Sequence, residues 1–215
     1  MKTKTINICK FDELFTEIQE KVINDWRRDN YNHTPPFINE ANDSFDKFAE
    51  IFSINWNNID YEEPYRNEYT IKLNDDILNL SGVPLVKHIW NNYKSDIFKG
   101  KYYGKLVDTF SNGAKIPISK DHPIGKRIVQ RYSRVFLSND CILTGVCYDN
   151  NLLNPIYEYL NKPNDRVTFE TLLNDCIYSL CHAVTSEIEY ENSDEAIKET
   201  IRINDYDFTE DGEIA

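Results

Sequence analysis

The groups able to do chemistry are few and scattered. The chain has four histidines, His33, His88, His122 and His182, and five cysteines, Cys9, Cys141, Cys147, Cys176 and Cys181. A structural or catalytic zinc needs several such ligands converging, and neither an HExxH helix nor a Cys-x-x-Cys pair is present. Cys176 and Cys181 fall on an apolar helical stripe, which assigns them to core packing, with His182 at its boundary. An odd cysteine count in a 215-residue chain points to reduced thiols rather than a disulfide scaffold. Phosphate-cradling loops need closely spaced glycines, yet there are seven glycines in all and no GxGxxG or GxxxxGK[ST] run. Gly125-Lys126-Arg127 resembles only a fragment of such a loop. No nucleophile elbow surrounds a serine or Cys147. Carboxylates are abundant, and abundance removes their diagnostic value. Glu187, Glu189 and Glu191 alternate as in a solvent-facing strand or a polar helix end. These patterns predict no catalytic residue, no metal and no cofactor, and hence a non-enzymatic protein.

Charge is the stronger signal. The formal net charge is -12, from 24 basic and 36 acidic residues. Residues 1–71 carry -6, residues 72–134 carry +7 and residues 135–215 carry -13. A basic centre thus lies between two acidic flanks. An acidic surface repels nucleic acid and attracts a basic protein groove. Its candidate residues are Glu187, Glu189, Glu191, Asp194, Glu195, Asp205, Asp207 and Asp211. The basic centre offers a second face for nucleic acid or a protein partner: Lys115, Lys120, Lys126, Arg127, Arg131 and Arg134, with Tyr132 placed to stack on an unpaired base. Fourteen tyrosines and three tryptophans, Tyr102, Tyr103 and Tyr132 among them, supply anchors for a protein interface.

These residues must be positioned by a compact body. Hydrophobic residues make up 40% and aromatics 13% of the chain, enough for a real core and unlike a disordered segment. No apolar run reaches the length of a bilayer span, and Met1–Thr5 leads into Asn7 and Lys10 rather than a signal-peptide core. The expected location is the cytoplasm. The spacing predicts a strand over 5–10, then a helix capped by Asp12 with Leu14, Ile18, Val22 and Trp26 on one face, flanked by Phe15 and Ile23. A second helix is predicted over 37–52 on Phe45, Phe48, Ala49 and Phe52, and a third over 85–98 with Pro84 near its start. Residues 68–73 alternate as a strand. Residues 105–110 and 114–118 suit a hairpin across Ser111-Asn112-Gly113. Arg127, Arg131 and Arg134 share a helical face, so 124–136 is assigned to helix, and 141–148 to a strand around Gly145. A short helix over 152–160 holds Pro155 in its first turn. The clearest helix follows Thr168, with Phe169, Leu172, Leu173, Cys176, Ile177, Leu180, Cys181 and Val184 buried and Val167 stapled onto Leu172. Ser193 caps a last helix whose core face is Ala196, Ile197 and Ile201, and Tyr206 and Phe208 suggest a terminal strand. The expected fold is α+β, several amphipathic helices packed on short antiparallel strands. It forms a single compact domain over 1–215, with 72–148 as a basic insert or subdomain.

The opening Cys9-Lys10-Phe11-Asp12-Glu13-Leu14, with Gln19-Glu20-Lys21-Val22-Ile23, resembles a family of small bacteriophage and prophage proteins that begin with a KFDEL strand–helix motif. The runs Ser193-Asp194-Glu195-Ala196-Ile197 and Asn204-Asp205-Tyr206-Asp207-Phe208-Thr209-Glu210-Asp211-Gly212 are similar to the same family. The likeness spans roughly the first 30 and last 60 residues, and the middle departs from it. Members are mostly uncharacterised and some are labelled antitoxin-like. A composition rich in asparagine, with 24 in the chain, suits an AT-rich genome. The resemblance implies a phage protein acting in the host cytoplasm on a host or phage protein partner. An anti-CRISPR-like inhibitor would fill a defence nuclease's nucleic-acid channel with its acidic surface. The alternatives are an antitoxin-like protein neutralising a partner toxin, or a nucleic-acid-binding accessory protein using residues 115–134.

Overall fold

The computed structural model describes residues 7–30, 34–57, 59–61, 63, 66–98, 102–108, 110–111, 114–115, 126–132 and 141–215, the strands between 102 and 132 by their backbone. The fold is α+β: helices form the body and every strand pairing is a two-stranded antiparallel ladder. In order along the chain are β1 (Ile8–Lys10), a 3-10 turn (Phe11–Glu13), α1 (Thr16–Asn30), α2 (Pro36–Phe52), β2 (Ile54–Trp56), β3 (Tyr69–Ile71), α3 (Asp75–Leu78) and α4 (Gly82–Ile97). There follow β4 (Tyr102–Asp108), β5 (Phe110–Ser111), β6 (Ala114–Lys115), β7 (Lys126–Tyr132), α5 (Tyr148–Asn161), α6 (Phe169–Glu191), α7 (Asp194–Ile203) and β8 (Asp207–Thr209). No helix among the described residues is long and apolar enough to cross a membrane.

Two hydrophobic clusters hold these elements. The larger joins α2, α4, α5 and α6 around Phe45, Phe48, Phe52, Leu85, Ile89, Leu152, Ile156, Phe169 and Leu173, all inaccessible or nearly so. Its aromatics interlock, with Phe52 4.6 Å from Phe48 and 4.7 Å from Tyr93 between ring centres, the spacing at which tilted rings attract beyond their area burial. The smaller cluster brings the two ends of the chain together: Phe11, Leu14, Val22 and Ile23 pack with Ile197, Ile201 and Phe208. β1 pairs with β8, Cys9 opposite Phe208, and closes this unit from residues almost 200 positions apart.

The helical stripes of α2, α6 and α7 bury as their spacing predicts. Thr168 accepts a hydrogen bond from the Thr171 amide, and Ser193 accepts one from the Ala196 amide, so both predicted caps satisfy first-turn donors. Five local expectations are corrected. Asp12 does not cap a helix; it lies in the 3-10 turn, and α1 begins at Thr16. Phe15, in the link between them, is 85% exposed instead of lying beside the α1 stripe. Pro155 sits in the interior of α5, which starts at Tyr148; it has no N–H for the Asn151 carbonyl, and burial of Leu152, Leu153, Ile156 and Tyr159 offsets that loss. Residues 126–132 form strand β7, not a helix. Arg127 and Arg131 are four apart, a separation that periods of two and 3.6 both accommodate, and the β-branched Ile128 and Val129 favour the strand. Tyr102 to Asp108 pairs with it in full register, Tyr102 opposite Tyr132 and Asp108 opposite Lys126. The predicted hairpin survives at its tip, where Ser111 pairs with Ala114 across a two-residue connection.

The fifth correction is the strand expected over 141–148: residues 141–147 form a loop and Tyr148 opens α5. Asp149 explains why. Its side chain is completely buried. One carboxylate oxygen accepts from the amides of Leu143 (2.8 Å), Thr144 (2.7 Å) and Gly145 (3.1 Å), and the other accepts from Thr144 Oγ1 (2.8 Å). Successive amides turned towards one anion cannot also feed a strand ladder. Gly145 takes φ +96, a conformation that only glycine adopts without strain.

Candidate interaction surface

The chemistry-bearing residues do not converge. No group of His, Cys, Asp or Glu among the described residues could hold a metal ion. Cys176 and Cys181 are buried in the larger cluster. Burial lifts the Cys176 thiol well above its ordinary range; burial and then the Asp60 carboxylate push Cys181 up to about 11. Both stay protonated near neutrality and make poor nucleophiles. His182 is exposed on α6. A shallow cavity of about 360 Å³ lies beside Tyr69, Asn174, Asp175, Ile177, Tyr178 and Cys181. Its polar groups are largely spent on each other, Tyr69 donating to Asn174 at 2.7 Å.

The eight predicted acidic residues are all exposed, but they do two different jobs. Asp194, Asp205 and Asp207 clamp the ends of the chain. Lys10 reaches both Asp205 (2.9 Å) and Asp207 (2.8 Å), and Arg27 pairs with Asp194 while donating to the Asn192 carbonyl at 2.9 Å. The hydrogen bonds that Lys10 donates to the two aspartates, Asp207 before Asp205, raise its pKa, and the hydrogen bond that Arg27 donates lowers that of Asp194. Asp211 takes part through its backbone, its carbonyl accepting from Lys21 at 2.8 Å. A partner of these four sits elsewhere in the unit: Arg202 grips Asp12 with both Nε (3.1 Å to each oxygen) and Nη2 (2.6 Å). Sequence reasoning placed Asp12 as a cap and missed this pairing, since 190 residues separate the partners.

Glu187, Glu189, Glu191 and Glu195 make no ion pair with a described residue. The first three lie on the last turns of α6, not on a strand. At 100° per residue, Glu187 and Glu191 share a side and Glu189 falls on the opposite one. Tyr190 follows Glu187 by three residues, within 60° of it around the helix, and it is 52% exposed. The Asn192 cap and Ser193 then turn the chain into α7, bringing Asp194 and Glu195 into its first turn. The joint of the two helices thus carries an exposed tyrosine and several exposed carboxylates. Tyr190 was not singled out from the sequence. The 3.6-residue count carried no signal for it, because at 100° per residue Tyr190 falls within 40° of buried Cys176 and level with buried Leu172.

The acidity also concentrates around the smaller cluster. Residues 7–30 and 193–215 together hold 14 acidic and 6 basic residues, net -8. Of the predicted basic face, Lys115 is in β6 and Lys126, Arg127, Arg131 and Tyr132 are in β7, while Lys120 and Arg134 lie outside the described residues. Comparison with known proteins finds no matching family model, no matching curated protein and no matching solved structure.

Proposed function

We propose that this chain is a phage-encoded, non-enzymatic binding protein that inhibits a host defence nuclease by occupying its nucleic-acid channel. The observation that carries the reading is the exposed Tyr190 one helical turn from exposed Glu187, at the end of α6 that leads into a unit with net charge -8. A half-exposed tyrosine supplies the apolar area and the hydroxyl that interface anchors use. Carboxylates unpaired within the described residues speed encounter with a basic groove and stand where phosphates would lie. The phage resemblance of both chain ends supplies the class of target.

The test is capture from a bacterial lysate followed by assay of the captured nuclease. The expected result is that a nuclease is retained and its cleavage is inhibited. Tyr190→Ala and the pair Glu187→Lys/Glu191→Lys should each weaken inhibition at least about tenfold, the equivalent of about 1.4 kcal/mol. Failure to capture or inhibit any nuclease, or unchanged inhibition by both variants, overturns the reading.

A further inference from the structure

The ribbon of β4 and β7 splits its residues by chemistry. In an antiparallel ladder, residues opposite one another occupy the same face, and faces alternate along each strand. Tyr103 is opposite Arg131, Lys105 opposite Val129 and Val107 opposite Arg127. One face therefore holds Lys105, Arg127, Arg131 and Tyr103 and no carboxylate. The other face holds Tyr102 with Tyr132 and Leu106 with Ile128, and it contains the ribbon's acidic residue, Asp108, opposite Lys126. We propose that β4 and β7 form a nucleic-acid-binding arm whose Tyr103–Lys105–Arg127–Arg131 face takes the phosphate backbone.

Spacing supports a polyphosphate ligand. Arg127 and Arg131 stand about 13 Å apart along the strand at 3.3 Å per residue, with the Lys105–Val129 pair midway. Cations thus recur about every 7 Å, twice the 3.4 Å rise per nucleotide of a duplex strand. A two-stranded ribbon has the width that a major groove admits. Tyr103 sits in register with a cation, the combination that stacks on bases beside a neutralised phosphate. The net charge of the whole chain does not forbid this. At physiological salt charges are screened beyond about 8 Å, so the total of -12 does not by itself set the field at this face.

The experiment is a fluorescence-anisotropy titration of the full chain against labelled single-stranded and duplex oligonucleotides at low and physiological salt. Binding is expected, with the two oligonucleotide forms ranking the arm's preference. The triple variant Lys105→Gln/Arg127→Gln/Arg131→Gln should bind at least about tenfold more weakly, with the log–log salt slope reduced by about 2–3. The charge-preserving pair Arg127→Lys/Arg131→Lys should retain binding, which separates loss of charge from loss of fold. A control triple, Lys72→Gln/Lys87→Gln/Lys162→Gln, makes the same charge change on exposed sites outside the two strands and should bind as the parent does. No binding at low salt, equal loss in both triples, or displacement of the oligonucleotide by polyglutamate at equal charge would overturn the proposal, the last by assigning the arm to acidic proteins.

Discussion

Asp149 is completely buried, and His88 is partly so. Asp149 organises the 141–147 loop through three amides and a hydroxyl, with Ser44 Oγ 3.1 Å from the same Thr144 hydroxyl. Asp149→Asn puts a donor where amides already point. It should cost about 2–4 kcal/mol in chemical denaturation, in line with hydrogen bonds to a buried charge. His88 has its Nδ1 3.1 Å from the Asn92 amide, and its buried Nε2 has no hydrogen-bond partner among the described residues. Its ring instead meets Tyr93 and Phe169 edge-on, at 5.7 and 5.5 Å. Burial lowers the imidazole pKa from 6.5. Above that value the ring is neutral in both folded and unfolded chains. Below it the unfolded chain takes the proton first, so stability falls with pH until the depressed folded value is passed. Urea titrations at about pH 7 and 5 should show a smaller loss for His88→Gln than for the parent, and an equal loss would contradict the assignment.

At the scale of elements, the KFDEL and SDEAI…NDYDFTEDG runs are explained as construction. Ser193 opens α7. Asp205, at φ 54, closes it, with Tyr206 N donating to the Ile201 carbonyl and Asp205 N to that of Arg202, the paired bonds of a Schellman cap. Phe208 then buries completely against Phe11. Gly212, at φ +81, lies so near α1 that a β-carbon there would stand 2.9 Å from Ile18 and Val22 methyls. Phe208→Ala should cost about 3–5 kcal/mol, and hydrogen exchange should show β1 and β8 opening together. Gly212→Ala should open the same pair. Acid should act here too: the hydrogen bond from Arg202 holds the Asp12 carboxyl below its ordinary 3.8, so the pair's stabilisation is present above that value and is lost as pH falls through the depressed one. Asp12→Asn should abolish that acid step in the exchange of β1 amides. The helices and their caps were legible because their signals are local: a 3.6 period and a capping hydroxyl at a fixed offset. What was not legible depended on distant partners. Asp12 chose Arg202 over capping, β7 chose β4 over a helical turn, and the loop at 141–147 follows from the burial of Asp149.

For the molecule as a whole, the three-way split of charge along the chain becomes a spatial arrangement. Chain ends that are acidic in sequence meet in one unit of net charge -8, and the basic centre supplies a separate β-ribbon. Within the acidic unit, the aspartates at 194, 205 and 207 hold the ends together, and beside it the exposed glutamates at 187, 191 and 195 make no ion pair with a described residue. Charge reversal at the two sets should therefore separate stability from binding: Asp194→Lys/Asp207→Lys lowers the thermal midpoint, whereas Glu187→Lys/Glu191→Lys leaves it unchanged and slows association. The central claim is occlusion of a nucleic-acid channel. It is tested most directly by titrating the Lys105→Gln/Arg127→Gln/Arg131→Gln variant, which cannot hold nucleic acid through the β-ribbon, against a captured nuclease preloaded with labelled nucleic acid. The account predicts mutual exclusion, with label released in proportion to inhibitor bound and excess nucleic acid reversing it. A stable ternary complex of nuclease, nucleic acid and inhibitor would contradict it.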